Sequence, residues 1–269
     1  MSKTHILYVC QKMSPYLPED RESLICRNLP QEIQKTNKEI RTFIPRFGCI
    51  NERRNQLHEV IRLSGMNIVI NDCDHQLIIK VASIPSARMQ VYFIDNEDYY
   101  QRKKTLCDEN NEMFKDNDER SIFYARGVIE TVTKLQWSPD IVHCHDWFTA
   151  IIAMYVKDLY KDEPLFENSK VILSLYGNDF EGNLDSEIRS KVESEGGNPK
   201  NLELLDNPSY KNLILFTMQY VDGIIVTSDK VDKDIINYAK ENNIDILEAY
   251  DEEVNTEEYS TFYDKILQR

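Results

Sequence analysis

Buried strands and helices alternate along much of this chain, and that alternation constrains its fold more than any other feature of the sequence. Short, continuous apolar runs occur at residues 6–10, 141–142, 171–175 and 223–227. Such runs are typical of strands that are buried on both faces of a sheet. Between them, apolar residues three or four positions apart, as in residues 122–132, indicate amphipathic helices. The pattern predicts an α/β fold in which helices cover both faces of a mainly parallel sheet.

Other segments extend this prediction. A helix is expected from about residue 19 to residue 35, with an interruption at Pro30. Short β-rich segments between residues 60 and 94, beginning with residues 60–63, predict a meander or hairpins. The polar stretch 179–208 contains a Gly-Gly pair and several acidic residues, which predict a mobile insertion.

The end of the chain predicts a helix that closes the domain. An apolar stripe at helical spacing runs through Tyr259, Phe262, Tyr263, Ile266 and Leu267. The same segment is acidic, which disfavours binding to a membrane surface. We therefore divide the chain into one domain over residues 1–247 and an acidic segment with a closing helix over residues 248–269.

Charge and glycine content argue against several classes of function. The 269 residues include 46 acidic and 32 basic side chains, which give a net charge of −14. Neither nucleic acid nor an anionic membrane suits such a surface, because both require basic side chains. The chain has 8 glycines and contains neither a GxGxxG nor a GxxxxGKS/T motif. A self-contained dinucleotide enzyme or P-loop kinase is therefore not expected.

Cysteine usage and the N-terminal segment predict a cytoplasmic protein. The six cysteines are spread singly, without a CxxC pair, which is typical of a reducing compartment. The first apolar run, residues 6–10, is too short for the hydrophobic region of a signal peptide or for a membrane span.

The most informative motif is His143-Cys144-His145-Asp146-Trp147, which follows a predicted strand. Ligands of open α/β sheets bind at the carboxyl ends of the strands. His143 and His145 are two positions apart and project in the same direction, so they could meet at one hydroxylated ligand beside an apolar plate formed by Trp147. In the alternative interpretation, the histidines hold the strand end and Trp147 lies in the core. A zinc site within this run is not expected, because its ligands are too tightly bunched.

A second motif, Asp116-Asn117-Asp118-Glu119-Arg120, precedes a predicted helix. A carboxylate at this point could bind a hydroxylated ligand in the same cleft. Alternatively, Asp116 caps the helix and Glu119 completes a capping box, which is the interpretation that the sequence favours.

Taken together, the motifs of this chain resemble the glycogen and starch synthases that use ADP-glucose. The resemblance rests on six stretches: residues 8–15 (YVCQKMSP), 29–30 (LP), 44–48 (IPRFG), 91–96 (VYFIDN), 116–123 (DNDERSIF) and 137–147 (WSPDIVHCHDW). Their order and spacing match the family over most of residues 4–236. The resemblance implies a Rossmann-like domain that is equivalent to the N-terminal half of a GT-B glycosyltransferase.

Members of this family transfer glucose from a nucleotide sugar to an α-1,4-glucan in a cleft between two domains, without a metal. The resemblance implies that His145 lies near the transferred glucose and that Asp116 is a second active-site residue. It also implies substrate contacts from His143, Asp146, Trp147 and Tyr176. ADP-glucose is the expected donor, a glycogen-like or starch-like glucan is the expected acceptor, and no cofactor is expected.

The sequence departs from the family where the donor phosphates bind. The family loop Lys-Thr-Gly-Gly-Leu is replaced by residues 18–22 (PEDRE), in which a proline and three acids disfavour a pyrophosphate. The family's second domain, which binds most of the nucleotide sugar, is expected to lie outside this chain. Two functions remain open: a transferase component that needs a partner protein to supply the donor domain, and a non-catalytic relative that binds α-glucan or a partner enzyme.

Overall fold

One sheet organises the part of the chain that the computed structural model describes, which is residues 3–196, 202–251 and 253–268. Within these residues its strands are β1 (His5–Val9), β2 (Glu39–Pro45), β3 (His58–Glu59), β4 (Met66–Ile70), β5 (Cys73–Ile84), β6 (Met89–Asp95), β7 (Ile141–His145), β8 (Lys170–Leu175), β9 (Gly223–Val226) and β10 (Asp245–Glu248). The α-helices are α1 (Arg21–Gln34), α2 (Glu97–Tyr100), α3 (Asn117–Lys134), α4 (Trp147–Ala150), α5 (Ile152–Met154), α6 (Ile188–Ser194), α7 (Tyr210–Thr217), α8 (Lys233–Glu241) and α9 (Thr256–Leu267). Across the described ranges, none of these helices combines the length and the apolar character that a membrane span requires.

The strand order places β1 near the middle of the sheet. The order is β10-β9-β8-β7-β1-β2-β6-β5-β3, and β4 pairs with β5. The strands from β10 to β6 are parallel to one another, whereas β5 runs antiparallel to β6, β4 and β3. The predicted α/β fold with a mainly parallel sheet is therefore confirmed. Because the parallel strands share one direction, the loops that follow β1, β7 and β8 meet at the same edge of the sheet.

Pro30 lies inside α1 and does not interrupt it. The helix begins after a capping box in which the Asp20 carboxylate and the Ser23 hydroxyl each accept a backbone N–H of the other residue. Pro30 is buried together with Leu29 and Ile33. Packing of this apolar face against the sheet outweighs the backbone hydrogen bond that proline cannot donate. The predicted interruption is wrong.

The structure also corrects two predictions about strands. Residues 60–63 form a turn, and the short strand β3 ends just before them. The edge strand β10 was not predicted, because only its two central residues are apolar and all four residues are partly or fully exposed. Both differences concern short strands, in which pairing across the sheet outweighs local sequence preference.

The predicted insertion at 179–208 contains regular structure. It includes α6 and a 3-10 turn, Glu203–Asp206. Lys191 of α6 forms ion pairs with Asp118 and Glu119 of α3, each at 2.8 Å, and these pairs hold the insertion on the domain. Residues 197–201 lie outside the described residues. The mobility of this stretch stays a prediction.

The closing helix α9 is present and buries the apolar stripe. Tyr259, Phe262, Tyr263 and Ile266 are at most 5% exposed. The helix crosses the start of β9 so closely that a Cβ atom added to Gly223 would lie 2.9 Å from both Phe262 Cζ and Ile266 Cδ1. The predicted helix is confirmed, and the division of the chain at residue 247 stays a prediction.

We predict that Ile266→Ala lowers the free energy of unfolding by about 2–5 kcal/mol, because it leaves a cavity between α9 and β9. Glu257→Ala, on the exposed side of the same helix, is the control and should change the free energy of unfolding by less than about 0.5 kcal/mol. Urea unfolding followed by circular dichroism measures both. Equal effects from the two variants would show that α9 is not docked through its apolar stripe.

Candidate functional site

A cleft of about 540 Å³ opens where the loops after β1, β7 and β8 meet. Its lining includes Gln11, Leu106, Met113, Trp147, Asp179 and Phe180. The rings of Trp147 and Phe180 pack edge to face, with their centroids 4.8 Å apart. Trp147 is only 3% exposed, so it belongs to the core and presents one edge to the cleft. Phe180 is half-buried and Asp179 is exposed.

Asp146 has a strained backbone at the start of α4. Its φ of 62° and ψ of 179° lie in a region that residues with a side chain rarely adopt, at a cost of about 1–3 kcal/mol. The strain directs the carboxylate back into the protein, where Oδ1 accepts the Trp147 backbone N–H at 2.8 Å and Oδ2 accepts the Asn178 side-chain N–H at 3.2 Å. Asp146 is therefore fully buried and anchors Trp147 at the rim of the cleft.

The loop over residues 18–22, which replaces the phosphate-binding loop of the glycogen and starch synthases, contains carboxylates. The Asn178 amide also donates to Glu22 Oε2 at 3.2 Å, and Lys12 Nζ lies 3.1 Å from the same oxygen and 2.6 Å from Asp20 Oδ2. Burial raises the pKa of Asp146 to about 6; burial and the charge of Asp146 raise the pKa of Glu22. Glu22 and Asp20 therefore engage the Lys12 ammonium, which is not free for a phosphate.

His143 is fully buried and engages both ring nitrogens inside the protein. Nδ1 lies 2.8 Å from Tyr263 Oη, and Nε2 lies 2.7 Å from Ser174 Oγ. Burial, and then the neighbouring His145, lower the pKa of His143 well below its usual range. The geometry matches the alternative in which His143 holds the strand end, and its predicted substrate contact stays a prediction.

His145 projects to the same side of the sheet as His143, as the spacing predicts, and the two ring centroids are 4.1 Å apart. Its Nδ1 lies 2.7 Å from Tyr176 Oη. Its Nε2 is buried and has no hydrogen-bond partner among the described residues. Burial lowers the pKa of His145 to about 3, so the ring is neutral. One ring nitrogen of His145 and the sulfur atoms of Cys10 and Cys26 lie within 4.8 Å of one another.

Asp116 binds Arg102 instead of capping α3. Its Oδ1 accepts a hydrogen bond from Arg102 Nη1 at 2.7 Å, and Oδ2 pairs with Nη2. Within the described part of the chain its side chain makes no capping hydrogen bond. The capping-box interpretation is wrong, because the backbone at Asp116 is not extended (φ −94°, ψ 19°) and the guanidinium engages both carboxylate oxygens. The role of Asp116 as an active-site residue stays a prediction.

Several residues of the site were not found from the sequence. Asn178 and Phe180 follow β8 as Trp147 follows β7, and the rule that ligands bind at carboxyl ends of strands is the signal that could have identified them. Cys10 and Cys26 belong to no spacing motif, so the sequence contains no local signal for their proximity to His145.

Comparison with known proteins identifies the family. Residues 5–267 match the starch synthase catalytic domain. This chain belongs to that family. The match includes nearly every described residue, from β1 to the end of α9.

Glycogen synthases of Chlorobaculum and Chlorobium species are among the similar proteins. The chain is 30% identical to the glycogen synthase of Chlorobaculum tepidum over 242 residues, which is 86% of this chain and 47% of that protein. It is 33% identical to the glycogen synthase of Chlorobium luteolum over 192 residues, which is 71% of this chain and 39% of that protein. The chain therefore spans about half the length of these relatives or less.

A solved structure supports the fold assignment. The catalytic domain of starch synthase IV from Arabidopsis thaliana, bound to ADP and acarbose, superposes with a TM-score of 0.72 at 14% sequence identity. The superposition covers 92% of this chain and 51% of the Arabidopsis chain. This family member thus has the Rossmann-like fold of a GT-B glycosyltransferase domain.

Asp118, in the second motif, is a buried acid whose protonation couples stability to pH. Burial raises its pKa to about 6, although the Lys191 ammonium opposes this shift. The folded protein therefore binds this proton at a higher pH than the unfolded chain does. As a result, the contribution of Asp118 to the free energy of unfolding falls as the pH rises from about 4 to about 6.

We predict that Asp118→Asn removes this pH dependence. Between pH 4 and pH 6.5, the wild type should lose on the order of 1 to 3 kcal/mol more stability than the variant. Urea unfolding at a series of pH values measures the difference. Asp229→Asn, at an exposed position, is the control, and its free energy of unfolding should depend on pH as that of the wild type does. If the difference in the free energy of unfolding between the wild type and Asp118→Asn stays constant from pH 4 to pH 6.5, the prediction is wrong.

Proposed function

We propose that this chain forms the acceptor-binding side of a glucosyltransferase that lengthens an α-1,4-glucan, and that a second domain supplies most of the donor site. The observation that carries the proposal is the cleft at the carboxyl edge of the sheet, with the aromatic rings of Trp147 and Phe180 beside the exposed Asp179 carboxylate. Its volume of about 540 Å³ lies within the range of small-molecule sites.

The cleft has the chemistry that an oligosaccharide requires. A sugar ring presents apolar C–H faces, which pack on an aromatic ring, and hydroxyl groups, which donate to carboxylates and amides. Phe180 provides the apolar surface, and Gln11, Asn178 and Asp179 provide polar groups around it. Burial of the Gln11 carbonyl oxygen without a partner among the described residues favours a ligand that can donate to it.

The charge of the site favours a neutral glucan over a nucleotide sugar. Asp20 and Glu22 engage the Lys12 ammonium where the family binds donor phosphates, so this cation is already paired when a diphosphate approaches. An uncharged glucan is not repelled. The donor, proposed to be ADP-glucose, therefore requires cations from a second domain, which we propose a partner protein supplies.

Family membership favours the transferase interpretation over a non-catalytic relative. The similar Arabidopsis catalytic domain is bound to ADP and acarbose, and we extend to this chain only the expectation of a site for a nucleotide and a sugar between two domains. His145 and Asp116 retain their proposed roles at the transferred glucose. The spread of single cysteines fits our proposal of a cytoplasmic location.

We predict that Phe180→Ala weakens binding of maltoheptaose about 10-fold, which corresponds to about 1.4 kcal/mol of lost ring contact. Isothermal titration calorimetry of the purified chain measures the affinity. Tyr250→Ala is the matched control, because Tyr250 is an aromatic side chain that is 44% exposed away from the cleft lining.

Isothermal titration calorimetry also tests whether the chain binds the donor. The purified wild type should bind maltoheptaose but give no saturable heat with ADP-glucose at the same concentration. Tight binding of ADP-glucose would overturn the two-domain proposal. If Phe180→Ala and the wild type bind maltoheptaose with equal affinity, the cleft is not the acceptor site.

A further inference from the structure

An apolar side chain projects into solvent at one end of the sheet. Ile61 lies in the turn that follows the edge strand β3. It is 83% exposed, which is more than any other large apolar side chain that the structure describes. Covering such a side chain with apolar surface is favourable, so Ile61 can contribute to a contact with a second molecule.

The turn holds Ile61 in a fixed position. The Val60 backbone N–H donates to Ile79 O at 2.8 Å, and the Leu63 backbone N–H donates to Val60 O at 2.9 Å. The Ser64 hydroxyl accepts the Ile79 backbone N–H at 2.9 Å, and the Leu63 side chain is buried. Because the backbone on both sides of Ile61 is already ordered, little conformational entropy is lost when a partner covers this side chain.

The segment that carries Ile61 is basic. Residues 53–62 contain three arginines and one acidic residue, Glu59. Arg53, Arg54 and Arg62 are all exposed. We call Ile61 and the adjacent Arg62 the knob. It combines an apolar tip with a positive charge, and the other two arginines add to that charge.

The opposite end of the sheet has a groove of complementary character. A cavity of about 460 Å³ opens between the edge strand β10 and α9. Leu247 and Phe262 supply apolar surface in its lining, and Glu257, Glu258 and Lys265 lie around them. We call this cavity the α9 groove.

The α9 groove lies in an acidic part of the chain. Residues 245–258 contain seven acidic residues and no basic residue, and Glu257 and Glu258 are exposed. Lys265 Nζ lies 2.8 Å from Asp245 Oδ1, so the charge of this lysine is already paired. A partner that suits the groove therefore combines an apolar tip with basic side chains.

The same charges disfavour a contact between two β10 strands. In the fully overlapping antiparallel pairing of β10 with its counterpart in a second copy, Asp245 would lie opposite Glu248. Like charges that lie directly opposite each other destabilise paired strands. The knob avoids this conflict, because it brings positive charge to the acidic groove.

We propose that copies of this chain associate head to tail, with the knob of one copy in the α9 groove of the next. β3 and β10 are the two ends of the strand order, so the two surfaces lie at opposite ends of one copy. A contact between two copies leaves one knob and one groove unused, and association therefore continues beyond the dimer. The contact is independent of the proposed function, because it requires neither a glucan nor a nucleotide sugar.

Sedimentation velocity of the purified chain, over a range of concentrations, tests the proposal. The wild type should sediment faster as its concentration rises and should form species larger than a dimer. Ile61→Asp places an acid at the tip of the knob and should weaken association about 10-fold or more. Glu257→Arg/Glu258→Arg reverses the charge beside the groove and should weaken association to a similar extent.

A mixture of these two variants tests the head-to-tail arrangement itself. Ile61→Asp retains an intact groove, and Glu257→Arg/Glu258→Arg retains an intact knob. An equimolar mixture should therefore recover association that neither variant shows alone.

Two matched controls should associate as the wild type does. Val69→Asp introduces the same acid at another exposed apolar position, because Val69 is 49% exposed. Asp162→Arg/Glu167→Arg changes the net charge by the same amount as the groove variant, at two other exposed positions.

Three outcomes contradict the proposal. The first is a folded wild type that stays monomeric at every concentration. The second is a control variant that loses association as completely as Ile61→Asp does. The third is a mixture of the knob and groove variants that stays as dissociated as its components. Because the first outcome concerns the wild type alone, the test does not depend on whether a variant folds.

Discussion

A buried chain of hydrogen bonds connects the middle of the sheet to the end of the polypeptide, and the rest of the architecture depends on it. It runs from Ser174 in β8 through both nitrogens of His143 in β7 to Tyr263 in α9, whose hydroxyl also lies 3.2 Å from Tyr8 Oη in β1. All four side chains are fully buried. Loss of any member leaves another polar group unpaired in the core, at a cost of about 1–3 kcal/mol. The chain of hydrogen bonds therefore specifies where α9 docks.

This arrangement separates the two histidines of the motif. His143 is satisfied on both sides, so it serves the fold. His145, one pleat further along β7, has its Nδ1 beside the Tyr176 hydroxyl, and its Nε2 has no hydrogen-bond partner among the described residues. The carboxyl edge of the sheet thus combines an open cleft, lined by Trp147 and Phe180, with the buried side chain of His145. Asp146, which lies between His145 and Trp147 in the chain, is itself strained and buried.

The sequence predicts those features that depend on short-range patterns. The common direction of His143 and His145 follows from strand alternation, and the burial of Tyr263 follows from helical spacing in α9. The pairing of Asp116 with Arg102 is not predictable in this way, because it depends on how the loop before α3 folds back. The proximity of Cys10, Cys26 and His145 requires that α1 pack across β1 and β7, which a single sequence does not specify at the level of side-chain contacts. Phe180 was missed because the polar residues around it predict an insertion.

The central claim is that the cleft beside Trp147 binds a glucan, and the chain offers an internal comparison because it contains two tryptophans. Trp147 lines the cleft, whereas Trp137 lies before β7, at the opposite end of that strand, and stacks on His5. Titration of ¹⁵N-labelled protein with maltoheptaose, followed through the two indole N–H resonances, is the most direct test. The account predicts that the Trp147 resonance shifts with saturation while the Trp137 resonance stays in place. A shift confined to Trp137, or no shift of either resonance when calorimetry detects binding, would contradict it.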